Sequence, residues 1–221
     1  ERIMEVDINS FEEKYGDYLS QEQVAREYFV STGTVTSWIK KKKIAPSIEY
    51  LFGNKSIYLF SPDDVEKYRK ELNIKEHNDS TIKEDFFEFL EERDYSLSYK
   101  MPFLLAIVKH IDSIGDAKIE EVLDDYIAFY QNRLSRGLQV DRSTCPYDEK
   151  MLKDRKAVQR NMLTNPFEKF ERKRFLYYSK DLSVISMNHA LFGQTKAEDW
   201  ERVRKQMRED LRKYYDGMGG V

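Results

Sequence analysis

What this chain lacks narrows its chemistry. It has one cysteine, Cys145, in 221 residues. A lone thiol cannot close an internal disulfide, so a reducing cytoplasm is expected. The three histidines, His77, His110 and His189, are far apart and form no metal-ligand spacing. There is no phosphate-binding glycine loop, no dinucleotide glycine pattern and no nucleophile elbow. No apolar run approaches a membrane span, and no basic-then-apolar leader is present. No catalytic residue, metal ligand or cofactor is therefore expected, and no membrane partner. The sequence begins at Glu1 rather than methionine, so natural residues are expected ahead of it.

Charge of one sign is also lacking. The net is −3, from 37 basic and 40 acidic side chains, so the overall balance argues neither for nor against nucleic acid. The charges are segregated, however. Residues 1–75 carry −1, residues 76–150 carry −8 and residues 151–221 carry +6. The last two values suit pairing between those segments, within one chain or between copies. With 15 Tyr and 13 Phe, the chain has large residues for a core, and its length suits one large or two small domains.

The informative segment is Ser20 to Phe60. Ser20 and Gln23 have the spacing of a capping box, and Val24, Ala25 and Tyr28 share one face of the helix it opens. Val30 lies in a turn and points inward. Ser31 caps a second helix, on which Val35, Trp38 and Ile39 recur at helical spacing. Thr32, Gly33, Thr34, Thr36, Ser37 and Lys40 are left for solvent or for DNA. Lys41, Lys42 and Lys43 continue the basic exit. After Pro46, Ile48, Tyr50 and Phe52 alternate, Gly53-Asn54 turns, and Ile57 to Phe60 return, which is a two-stranded hairpin. Ser61-Pro62-Asp63-Asp64 opens another helix, with Val65 and Tyr68 packing it back.

These residues resemble the winged helix-turn-helix of the excisionase and MerR-like DNA-binding domains. The resemblance rests on Val24-Ala25, Ser31, Thr34-Val35 and Trp38-Ile39, then the lysine exit, Pro46, the hairpin, and Phe60 to Asp64. It implies that the second helix enters the major groove of double-stranded DNA and that the wing touches the backbone or minor groove. Thr32, Gly33, Thr36 and Ser37 would then face base edges, with Lys40 to Lys43 and Lys55 on phosphates and Thr34 also among the DNA-binding residues. At Phe29 the family's turn usually holds a glycine with positive φ. Either the turn differs here or Phe29 is strained. The wing is poor in arginine, with only Lys55 at its tip.

Residues 1–74 are read as this DNA-binding domain and 75–81 as a polar linker. Residues 82–221 are read as a larger helical domain that dimerises or receives a protein partner. Thr81 with Glu84 has capping-box spacing. Helices follow to near Arg93, over 99–112 and from about Lys118 to Arg136, ending at Gly137. A helical stretch from Met151 to Leu163 is separated by Asn165-Pro166 from the aromatic helix 166–173. Two strands flank Ser179-Lys180-Asp181. Thr195 to Glu198 reads as a further capping box, opening a last helix whose apolar face could pair with a second copy or fold back. Helix 118–136, helix 153–173 and the hairpin 175–187 have the order of a second winged helix. Arg155, Lys156, Arg160 and Lys169 to Arg174 form a candidate second basic surface, or the outer face of an ordinary amphipathic helix.

The fold expected is mainly α, a winged helix-turn-helix followed by a helical domain with a short hairpin. The function expected is a bacterial or phage transcriptional regulator, bound to DNA as a homodimer. Two alternatives stand beside it. One is an accessory protein of recombination or anti-defence that binds DNA or a protein. The other is a nuclease subunit drawing on Asp154, Glu168 and Lys169, although acid–acid–lysine sets arise readily in a chain that is 35% charged.

Overall fold

The computed structural model describes residues 13–52 and 54–221. The fold is mainly helical, 57% helix against 11% strand, and its strands form small antiparallel sheets. The chain divides into two compact units between His77 and Asn78.

The first unit runs β1 (Leu19–Ser20), α1 (Gln21–Glu27), α2 (Thr32–Lys40), β2 (Ile48–Phe52), β3 (Lys55–Phe60) and α3 (Pro62–Glu71). Ser20 caps α1 with both arms of the box. Its Oγ accepts from Gln23 N at 3.3 Å, and its own N–H donates to Gln23 Oε1 at 2.8 Å. Ser31 caps α2 and Ser61 caps α3, where Pro62 takes the first turn. The hairpin β2–β3 has Ile48 opposite Leu59 and Phe52 opposite Lys55. Gly53 of the expected turn lies outside the described residues. The two-residue strand β1, too short to show in a pattern of alternation, pairs with β3 and gives the sheet order β1-β3-β2.

Helices α1, α2 and α3 end in one motif. The residue after the cap takes left-handed φ, and two N–H groups return to the last carbonyls. Phe29 has φ 55°, with Val30 N donating to Ala25 O at 3.0 Å. Lys42 has φ 56°, with Lys43 N donating to Trp38 O at 2.9 Å. Asn73 has φ 52°, with Ile74 N donating to Arg69 O at 2.9 Å. None of the three is glycine. The Phe29 turn thus keeps its left-handed geometry with a bulky residue in it.

Val24, Ala25, Tyr28, Val35, Ile44, Phe60, Val65 and Tyr68 form the core of this unit, with Val30, Trp38 and Ile39 packed at its edge. Tyr28 Oη donates to Val65 O at 2.6 Å, tying α1 to α3. Burial raises its pKa to about 12. Tyr68 Oη accepts from Ala45 N at 3.1 Å, fixing the chain between α2 and the hairpin.

The second unit runs α4 (Ile82–Glu91), α5 (Lys100–His110), β4 (Asp116–Lys118), α6 (Ile119–Ser135), α7 (Glu149–Lys153) and α8 (Arg155–Met162). A π turn (Leu163–Phe167), α9 (Glu168–Arg172), β5 (Leu176–Ser179), β6 (Val184–Met187), α10 (His189–Gln194) and α11 (Ala197–Tyr215) complete it. β4 pairs with β6 and gives the order β4-β6-β5. In both units a short strand ahead of helices therefore pairs with the last strand of a later hairpin.

Several local expectations need correction. Thr81 makes no side-chain cap; its hydroxyl donates instead to Asp85 Oδ2 at 2.7 Å. Thr195 does not open α11. It donates to Leu191 O at 2.6 Å and closes α10, while Lys196 takes the cap position of α11. Asn165-Pro166 does not separate two helices, because the backbone passes through it as a π turn. The interruption comes at Asp154, whose carboxylate caps α8 at Ala157 N. The linker reading of 75–81 also gives way at its first part: the Phe29 and His77 rings stack at 3.8 Å, so the first unit extends to His77.

Aromatic rings fill the second core. Phe86 meets Phe175 edge-on at 5.3 Å, and Phe89 meets Phe170 at 5.1 Å. Asp141 is buried yet satisfied, accepting from Ser98 N at 3.0 Å, Arg142 N at 2.7 Å and Tyr214 Oη at 2.6 Å. The apolar face of α11, with Val203, Met207 and Leu211, is buried within the unit, and α11 packs on α5. A second copy would have to use another surface.

Candidate nucleic-acid interface

The Ser31 cap turns the start of α2 outward. Thr32 and Gly33 in its first turn are exposed. A Cβ at Gly33 would meet only Ser31 Oγ at 3.6 Å, so the fold itself leaves space there. Thr34 is half-buried and shares a 2.9 Å hydrogen bond with Ser31 Oγ. Thr36 donates to Thr32 O at 2.9 Å and accepts from Gln21 Nε2. Ser37 is half-buried. Of the expected DNA-facing hydroxyls, those of Thr34 and Thr36 thus spend their hydrogens or lone pairs inside the fold. Thr32, Gly33 and Ser37 keep more of theirs. Gln21 was not singled out from the sequence; it lies on α1 and reaches α2 only through the fold.

Lys40, Lys41, Lys42 and Lys43 are all exposed, as is Lys55 at the tip of the β2–β3 hairpin. Lys42 holds the left-handed position of the α2 terminus, so the four ammonium groups leave a turning backbone rather than one helix face. Among the described residues none of these five lysines has a carboxylate partner. Leu51, near the hairpin tip, is 74% exposed.

The second basic surface is different, because Arg155, Lys169, Arg172 and Lys173 each lie beside a carboxylate. Arg155 binds Glu120 at 2.6 Å and also Asp124. Arg172 binds Glu168 at 2.6 Å, Lys169 lies 3.8 Å from Asp94, and Lys173 lies 3.6 Å from Glu92. The segregated charges of the two segments meet here inside one unit.

The acid–acid–lysine set is likewise spent. Asp154 caps α8, Glu168 holds Arg172 and Lys169 faces Asp94. Cys145 Sγ lies 3.3 Å from Tyr99 Oη, and burial pushes its thiol pKa up, away from a reactive thiolate. Among the described residues no group of three or more His, Cys, Asp or Glu side chains could hold a metal ion. Nor is any helix among them long and apolar enough to cross a membrane.

No protein-family model, curated protein or solved structure matches the chain.

Proposed function

We propose that the first unit is a winged helix-turn-helix that binds double-stranded DNA, with α2 in the major groove and β2–β3 as the wing. The observation that carries this reading is the run Lys40 to Lys43, exposed at the end of α2 and without carboxylate partners among the described residues. A protein that grips phosphates needs ammonium groups not already neutralised by its own carboxylates. In the other basic cluster Arg155 and Arg172 have carboxylates in place. Thr32 and Ser37, with the bare backbone at Gly33, supply a small polar face for base edges. Hydroxyls donate and accept alike, so sequence discrimination should be modest.

The chain is read as a transcriptional regulator whose second unit receives a partner or signal. If two copies share a palindromic site, they meet through a surface other than the apolar face of α11. A mobility shift at low ionic strength tests the binding, and genome-wide mapping of bound sites tests the role. Promoter sites are expected. Sites confined to the attachment ends of a mobile element would overturn the regulatory reading in favour of recombination.

A further inference from the structure

The second unit contains a small cleft of about 50 Å³, open on one side and lined by Asp94, Ser96, Tyr99, Lys100, Asn165 and Lys169. Lys100, in the first turn of α5, is only 7% exposed. It makes no hydrogen bond or ion pair with any described residue. Its Nζ lies 4.5 Å from the centre of the Phe89 ring and 6.0 Å from that of Tyr95. Lys173 Nζ lies 5.2 Å from the same Phe89 ring, and Lys169 lines the cleft. Two ammonium-bearing side chains, Lys100 and Lys169, thus line one opening. Two carboxylates accompany these lysines: Asp94, itself in the cleft lining, is 3.8 Å from Lys169, and Glu92 is 3.6 Å from Lys173; both are more than half exposed. Burial, with Lys169 next in weight, lowers the Lys100 pKa to about 8. Asp94 and Glu92 act on Lys100 in the opposite sense, but burial outweighs them; an anion entering the cleft would offset the remaining cost of desolvating the ammonium.

We propose that this cleft binds a terminal phosphate group, held between Lys100 and Lys169. A carboxylate carries one charge, which Asp94 already offers to Lys169. A phosphate monoester brings close to two charges and three acceptor oxygens. Two oxygens can meet Lys100 and Lys169, and the third can take the Ser96 hydroxyl. Asp94, exposed and loosely held, is the group it would displace. A phosphodiester within a duplex carries one charge and is flanked by sugars on both sides, whereas a terminal phosphate enters end-on. The site lies in the second unit and stands independently of the DNA-binding reading.

The test is calorimetric titration of the full chain with inorganic phosphate, a nucleoside monophosphate, and short duplexes with phosphorylated or hydroxyl 5′ ends. Lys100→Met, Lys169→Met and Asp94→Asn are titrated beside the wild type, each checked for folding by its thermal melt. Wild-type binding that weakens about tenfold or more in Lys100→Met and in Lys169→Met is expected, since each removes a charge-assisted contact. Asp94→Asn should bind more tightly. Preference for the mononucleotide marks a small-molecule source and preference for phosphorylated duplex ends a strand end, and either supports the site. If Lys100→Met does not fold, the more exposed Lys169→Met decides. No binding of any probe up to about 10 mM, or affinities unchanged in the lysine variants, would overturn the proposal.

Discussion

The Phe29 ring lies flat on the His77 imidazole, with centroids 3.8 Å apart and planes 7° apart. This contact joins the α1–α2 turn to the end of the first unit. It also explains how a bulky residue keeps a left-handed φ of 55°. The stack offsets a backbone strain of about 1–2 kcal/mol. Phe29→Ala removes the ring and keeps most of the strain; Phe29→Gly removes both. Glycine should therefore be the less damaging substitution, by about 1 kcal/mol, reversing the order usual in regular structure. Chemical denaturation of the two variants checks the order. Alanine proving the more stable would contradict this account of the turn.

Tyr28 gives the first unit a pH dependence. Its phenol is buried and donates to Val65 O. With its pKa raised to about 12, the folded state holds the proton more tightly than the unfolded chain, which loses it near pH 10. The resulting stabilisation is complete below pH 10 and is lost as pH rises from 10 to about 12. Tyr28→Phe should remove that dependence, and at neutral pH it should cost about 1 kcal/mol for the lost hydrogen bond. Unfolding free energies at pH 7, 10 and 11 measure both effects.

Arg133 anchors the last residues of the second unit. It is 1% exposed and donates to Gln139 O at 2.9 Å, Met218 O at 3.0 Å and Gly220 O. Its guanidinium lies 3.6 Å from the centre of the Tyr215 ring. Arg133→Met leaves three carbonyls without their donor, at a cost of about 3 kcal/mol. Hydrogen exchange should show residues 216–221 opening in this variant ahead of global unfolding. Uniform protection across the unit would argue against the anchor.

Lys100 should make the protein less stable than it could be. Lys100→Met removes a buried charge and should stabilise the chain by about 1–2 kcal/mol at pH 7 without added phosphate. The lysine pKa is lowered to about 8 in the folded state, so between about 8 and 10.4 the unfolded chain binds more protons. Wild-type stability therefore gains on the variant as pH rises through that window. Melting curves of the pair at pH 7, 8 and 10 read the narrowing gap.

The first unit was legible because its signals are local. Ser20 with Gln23, Ser31, and Ser61-Pro62 each specify a helix start within four residues, and the structure has a cap at each. Thr81 and Thr195 carry the same spacing and cap nothing, since their hydroxyls find Asp85 and the Leu191 carbonyl instead. A three-residue strand such as β4 has no period to detect, and its partner β6 lies some 70 positions away. On the candidate site, the exposure of Lys40 to Lys43 was readable from the pattern of α2. The engagement of Thr36 by Gln21 was not, because it depends on how α1 meets α2.

The central claim is that the lysines leaving α2 hold DNA phosphates. The direct measurement is duplex affinity by fluorescence anisotropy across a salt series, for the wild type and for Lys40→Gln, Lys41→Gln and Lys43→Gln combined. Lys42 is left in place because its left-handed backbone would mix stability with binding. The account predicts weaker binding on all sequences alike. It also predicts a log–log salt slope that is shallower by roughly 0.9 for each phosphate contact removed. A wild type with no affinity at low salt, or a variant with the slope unchanged, would contradict it.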